Sequence, residues 1–391
     1  MDNNFILDLS IIPKELRLLL EIMKTENDDS IEASIKELIS ESDWESFLQL
    51  AMHHRVYPII YTKLIKIDKR LIPKNVIQTL YQEYQKNTFQ MLYLSGEMEQ
   101  VSKLFTENQI RLLFLKGPVI AADLYGDISL RTSKDLDILI PIDSLEKAEE
   151  LLLSIGYEKE VVPNILNEWK WRHHHVVYYH PKKNIQLEIH WRLQPCPLKE
   201  PKFNELWERK RLGTITSYPV YFLGKYDLFL YLVSHGARHG WFRLRWLLDI
   251  DQMIRKGLEL EEINRLNDKY QNRHIVGQAL ILASELIKTP IEGDLIKLTE
   301  GSYSKKFAQN TVYFIKENES LTNIMSNKYY KRYRFSLMSS LQKFFYSMIL
   351  FYPSSLDAKT LKLPKSLHFL YFPLRPLLWA WRKTKNIKNS S

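Results

Sequence analysis

The chain has 391 residues, a formal net charge of +9, 45% apolar and 12% aromatic residues. Its one cysteine, Cys196, excludes an intrachain disulfide framework and any multi-cysteine zinc site, and is read as structural. From Lys328 onward thirteen Lys or Arg stand against a single acid, Asp357, which leaves the rest of the chain near −3. That body does not read as a nucleic-acid-binding surface. The opening MDNNFILDLS is acidic and polar rather than a signal peptide, so a cytoplasmic location is expected.

In chain order, residues 1–108 read as a helical domain. ELRLLLEIMK carries apolar residues at helical spacing, and DWESFLQLAMHHRVYPIIYTKL begins with Asp43 as a cap and is expected to end near Pro58. The periodic run from Pro73 to Glu107 would span roughly 50 Å as one helix, with Gly96 as a point of interruption. The pattern changes at Ile110. IRLLFLK reads as a strand, Gly117-Pro118 as a turn into a helix that stops at Gly126, and DLDILI as a second strand closed by Pro141. DSLEKAEELLLSIGY reads as an amphipathic helix capped by Asp143 or Ser144. HHHVVYYH and NIQLEIHWRL, separated by PKKN, read as a hairpin. Helical signals resume after Pro219, first in KYDLFLYLVSHGARHG and FRLRWLLDIDQMIRKG. The expected architecture is α+β: a small α/β core with a mixed sheet at 109–200, helical regions at 1–108 and 201–355, and a basic aromatic tail at 356–391.

The strand DLDILI carries two acids inside an apolar run. Side chains alternate faces along a strand, so Asp135 and Asp137 share one face. In NIQLEIHWRL the residues Gln186, Glu188, His190 and Arg192 share a face in the same way. Should the strands be neighbours, Glu188 joins the aspartates. Three close carboxylates repel one another, and a divalent cation resolves the conflict. Oxygen ligands suit Mg2+ or Mn2+, held by carboxylates together with substrate phosphates. Such an array favours phosphoryl or nucleotidyl transfer. Lys116 and Gly117 stand where a strand enters a helix, a place where free N–H groups cradle phosphate. Arg131 and Lys134 flank the acids and supply charge for a triphosphate.

FLKGPVIAADLYGDISLRTSKDLDILI, followed by LEIHWRL, resembles the nucleotidyltransferase superfamily that includes polymerase beta. More closely it resembles a bacterial family labelled uncharacterised nucleotidyltransferases. The features that carry the resemblance are Leu115-Lys116-Gly117, Tyr125, Arg131, Asp135-Leu136-Asp137 and Glu188, then His235, His239, Trp241, Arg245, Trp246 and Asp249. It covers residues 40–260 and extends over much of the remainder. One departure stands out. The superfamily places Gly-Ser or Gly-Gly shortly before the acids, whereas here Pro118 follows the glycine and Asp135 comes eighteen residues after it. The resemblance implies transfer of a nucleoside monophosphate from an NTP to a hydroxyl or phosphate of a small molecule or peptide. Relatives near peptide natural-product genes imply an alternative, sugar transfer from a nucleotide sugar to a (phospho)peptide. A non-catalytic nucleotide-binding protein is the third reading.

On these grounds Asp135, Asp137 and Glu188 are the expected catalytic and metal-binding residues. Lys116, Gly117, Arg131, Ser133, Lys134, His190 and Arg192 are assigned to the nucleotide. His175, His235, His239, Arg243 and Arg245 are assigned to the acceptor or to support of the metal ligands. Zinc binding by the run His173, His174, His175 and His180 is disfavoured, because alternation sends His174 to the opposite face from His173 and His175. His235 and His239, four apart on one helix, could bind a metal with Asp249, but read better as a buried network between two helices. SLHFLYFPLRPLLWAWRKTKNIK lacks a clean apolar span and is not a spanning helix. It packs against the helical body or touches an anionic membrane surface.

Overall fold

The computed structural model describes residues 5–24, 31–67, 70–160, 165–167, 173–195, 199–316, 323 and 327–388. Cys196 lies outside the described residues. In the N-terminal region run α1 (Lys14–Lys24), α2 (Ile31–Ser40), α3 (Trp44–His53), α4 (Tyr57–Leu64) and α5 (Lys74–Glu107). Asp43 caps α3, accepting from the Glu45 N–H. The helix does not run on to Pro58. It stops at His53, Arg55 takes a positive φ of 55°, and Pro58 lies in the first turn of α4, where its missing N–H costs nothing. Nor does Gly96 interrupt α5, whose 34 residues are continuous.

The sheet is built from β1 (Leu113–Phe114), β2 (Asp135–Leu139), β3 (Glu158–Lys159), β4 (His175–His180), β5 (Ile185–His190), β6 (Arg211–Leu212) and β7 (Tyr221–Phe222). Their order is β3-β4-β5-β2-β1-β7-β6. The sheet is mixed: β4 and β5 are antiparallel, β1 and β7 parallel. Between β1 and β2 lies α6 (Pro118–Tyr125), and after β2 comes α7 (Leu145–Ser154). Ser144 occupies the N-cap position of α7 but makes no side-chain cap bond there; a short 3-10 turn, Ile142–Ser144, leads in instead. The turn PKKN closes the β4–β5 hairpin with Asn184 at φ 54°. Strands β6 and β7 lie in the region expected to be wholly helical. They are two residues each, too short to show a period of two in the sequence.

Helices α8 (Phe203–Glu208), α9 (Lys225–Arg238), α10 (Arg245–Arg255), α11 (Leu260–Tyr270), α12 (Arg273–Ile287), α13 (Ile296–Thr299), α14 (Ser302–Lys316), α15 (Lys328–Ser336), α16 (Ser340–Phe351), α17 (Ser355–Thr360) and α18 (Tyr371–Lys388) follow. The fold is therefore a mixed-sheet core with extensive helical flanks.

Two units divide the chain. The first comprises Met1–Asp137 and Pro201–Leu337, the second Ile138–Glu200 and Met338–Ser391. In the first, Leu113, Phe114 and Leu115 are fully buried, and Gln278 of α12 is held among α14 and α15 by donating to the Phe307 carbonyl at 3.1 Å and Tyr333 Oη at 2.9 Å. In the second, Leu187 and Ile189 of β5 and Tyr178 of β4 form the apolar face of the hairpin. The C-terminal segment packs within this second unit. Tyr371 and Leu378 of α18 bury against Ile165, and fully buried Asp357 pairs with Arg375 and Arg382. Pro376 lies inside α18 rather than breaking it. No described helix is long and apolar enough to cross a membrane.

Candidate active site

Strand β2 carries the site. Leu136 and Ile138 are fully buried on one face, which turns Asp135 and Asp137 to the other. The division between the units falls inside this strand, between Asp137 and Ile138. On one side of Asp137 the strand is tied to β1, since the Leu115 N–H donates to the Asp137 carbonyl at 2.9 Å. Just past its other end, the Ile140 N–H donates to the His190 carbonyl of β5 at 3.0 Å.

The register of the hairpin fixes the rest. Val177 faces Glu188 and His175 faces His190. Opposed residues of an antiparallel pair share a face, so His175, Glu188 and His190 stand together. Glu188 Oε2 stands 3.4 Å from His190 Nε2, with His190 buried and Glu188 half-buried. Gln186 Nε2 donates to Glu188 Oε1 at 3.0 Å and steadies that carboxylate. Carboxylates and an imidazole are donors that fit a divalent cation.

Asp135 lies two residues before Asp137, which along a strand is about 6.6 Å, and it is in electrostatic reach of several cations. Its carboxylate holds the charged forms of Arg55, Lys134 and Arg245 in place against forces that push their pKa values down. Burial lowers Arg55 and Arg243 to about 10 and Arg245 to about 9, and the mutual repulsion of these cations adds to each shift. All remain charged at neutral pH.

Lys116 Nζ stands 3.1 Å from Asp137 Oδ1 and compensates that buried carboxylate. Gly117 caps α6 with φ 93° and ψ −157°, a conformation open essentially to glycine alone. Pro118 follows at the first helical position, so the N–H groups left for a ligand there are those of Val119 and Ile120.

Several candidates are engaged in hydrogen bonds within the protein. Arg131 is 1% exposed and grips the fully buried Asp249 through Nε at 2.9 Å and Nη2 at 3.0 Å, while Tyr125 Oη donates to the same carboxylate at 2.9 Å. Ser133 Oγ donates to the Asp135 carbonyl at 3.1 Å. Arg245 Nη1 donates to Thr132 Oγ1 at 3.0 Å and to the Thr132 carbonyl. Arg192 donates to the His173 carbonyl. From α5, Asn87 Nδ2 donates to the Ser129 carbonyl at 2.7 Å. The loop before the acids is thereby fixed from three directions. His235 and His239 pack on Trp246 with ring centroids at 5.1 and 5.5 Å, and burial holds both pKa values well below 6.5. With Asp249 committed to Arg131, they form no metal group with it among the described residues.

Arg55 escaped the sequence reading. It becomes visible only through the fold: Arg243 Nη1 donates to the His53 carbonyl at 2.9 Å, the Leu244 N–H to His54 Nδ1 at 3.3 Å, and the Arg245 N–H to the His54 carbonyl at 3.3 Å. These bonds clamp the turn 53–55 onto the loop 242–245 and bring Arg55 and Arg243 into electrostatic reach of Lys134, with Asp135 acting on Arg55 and Lys134. The positive φ of Arg55 is the structural signal; nothing in its sequence neighbourhood announces it.

The sequence profile of the family described as uncharacterised nucleotidyltransferase matches residues 40–288. No curated protein matches the chain. Both halves of the site, the acid-bearing strand and the EIH strand, fall inside the match, together with the clamp that holds Arg55. The match takes in more than half of the chain, which therefore belongs to the uncharacterised nucleotidyltransferase family of the polymerase-beta-like superfamily.

Proposed function

We propose that the protein is a divalent-metal-dependent transferase that moves a nucleoside monophosphate from an NTP to a hydroxyl or phosphate of a small molecule or peptide. The observation that carries this reading is the family match, which takes in both the strand with Asp135 and Asp137 and the strand with Glu188. Asp135, Asp137 and Glu188 are the carboxylates that would hold Mg2+ or Mn2+, with Arg55 and Lys134 free to turn from Asp135 toward phosphate oxygens. The cation, when bound, neutralises phosphate charge and lowers the pKa of the acceptor hydroxyl. The N–H groups of Val119 and Ile120 and the Lys116 ammonium cradle the phosphates, and Arg55, Arg243 and Lys134 balance their charge. Arg131, Ser133 and Arg245 position the loop that carries the acids. Glu188 accepts the proton of the acceptor hydroxyl as its oxygen bonds to the α-phosphorus, and the bond to the β-phosphate oxygen breaks to release pyrophosphate.

Calorimetric titration of the protein with each of the four NTPs, with and without Mg2+, tests this. Binding that requires the metal and is lost in Asp137→Asn is expected. Metal-independent binding in both proteins would overturn it. Mass measurement of a modified acceptor separates the chemistries, because a hexose increment in place of a nucleotide increment refutes nucleotidyl transfer.

The C-terminal segment is assigned to an anionic membrane surface. Thirteen cations from Lys328 onward accompany exposed Phe344, Phe351, Phe369, Trp379 and Trp381. Aromatic and basic groups together suit the interface between water and anionic headgroups.

A further inference from the structure

We infer that His174, His175 and His190, with Glu188 beside them, form a second metal centre of nitrogen donors that takes a Zn2+-class ion. One ring nitrogen from each histidine lies within 4.8 Å of the others. Alternation along β4 would have separated His174 from His175. It does not, because His174 precedes the strand, in a bend where the period of two does not apply. Its carbonyl still accepts the Trp191 N–H at 3.0 Å, which anchors it opposite the end of β5.

The ring separations are compatible with nitrogens bound to one ion. His175 Nδ1 stands 3.4 Å from the nearest nitrogens of His174. That is long for a hydrogen bond, which favours about 2.7–3.2 Å. It equals the separation of about 3.4 Å between two nitrogens bound tetrahedrally at about 2.1 Å to one ion. The third ring, His190, has its centroid 4.9 Å from that of His175 and 5.3 Å from that of His174, so a rotation about its Cβ–Cγ bond turns a nitrogen inward. Glu188 Oε2 is 3.4 Å from His190 Nε2 and 3.7 Å from His175 Nε2. It supplies the carboxylate that orients metal-bound imidazoles. Three imidazoles suit zinc, whereas Mg2+ prefers oxygen. The nitrogen donors of the hairpin therefore select a different ion from the carboxylates. All these residues belong to the hairpin β4–β5 and its approach, so the centre rests on one supersecondary element.

The test uses full-length protein stripped with a chelator and titrated with Co2+ as a spectroscopic stand-in for Zn2+. A visible d–d band that Zn2+ abolishes is expected. His174→Ala and His175→Ala should each weaken Co2+ binding by at least about tenfold, and Asp137→Asn should leave the band intact. Absence of a band in the wild-type protein overturns the inference. So does a band lost in Asp137→Asn but kept in both histidine variants, which would place the ion on the carboxylates. The Mg2+–nucleotide titration is a separate measurement, so failure of the proposed nucleotidyl transfer and failure of this centre are distinguishable.

Discussion

The pair Arg131–Asp249 is the strongest single lever on the site, and Asp249→Ala is the perturbation that exposes it. Arg131 is 1% exposed and Asp249 is fully buried. Two parallel hydrogen bonds of 2.9 and 3.0 Å join them, and Tyr125 adds a third to the same carboxylate. Removing the carboxylate strands a guanidinium in the interior, a loss of about 3–5 kcal/mol. The orphaned Tyr125 hydroxyl overlaps with that cost. Arg245, another buried cation in the electrostatic reach of Arg131, pushes the total toward the upper end. Urea denaturation followed by tryptophan fluorescence should therefore show a large fall in the midpoint. Replacing both partners, as Arg131→Met with Asp249→Leu, removes the unpaired charge and should return most of the stability. A loss in Asp249→Ala below about 1 kcal/mol, the range of exposed pairs, would refute the reasoning, as would a double variant no better than the single one. The double variant also settles the role of Arg131: nucleotide affinity recovered along with stability marks it as a positioning residue.

Gly117→Ala forces a Cβ into a glycine-only conformation, with Leu136 Cδ2 at 3.3 Å, and should cost about 1–3 kcal/mol in thermal stability while weakening nucleotide binding; an unchanged melting midpoint would contradict the cradle. Arg55→Ala should weaken NTP binding by about tenfold or more with no loss of thermal stability, since it relieves cationic repulsion; a lowered midpoint with unaltered affinity would make Arg55 merely structural. Burial holds His53 down to about 4 and keeps His54, His235 and His239 well below 6.5. Their unfolded forms take up protons that the native forms refuse, so their contribution is complete above pH 6.5 and is lost as the pH falls toward 4. Melting curves across that window should shift steadily downward on acidification, and a flat profile would count against it. Vesicles containing anionic lipid should sediment the protein, with Trp379→Ala and Trp381→Ala weakening the association; equal binding to neutral vesicles would refute the charge argument.

Much of the core was legible because its signals are local. Gly117-Pro118 announces a turn into a helix, Asp-x-Asp within apolar neighbours announces a strand with one polar face, and Asn184 closes a hairpin whose register then aligns Glu188 with Val177. Each of these is set by steric limits on a few adjacent backbone angles or by the period of two. The stop of α3 at His53 was misplaced because an arginine in the left-handed region leaves no compositional mark.

Which groups meet was decided by tertiary structure. His175 and His190 stand with Glu188, and Arg131 faces inward to Asp249, 118 residues away. Arg55 reaches Asp135 through a clamp formed 190 residues downstream. The sequence by itself determined the strands β2, β4 and β5 and their polar faces. Only the folded chain decided which cations are consumed inside buried pairs and which stand at the acids, because electrostatic energy depends on separation in space and on burial, and neither is encoded in the spacing along the chain.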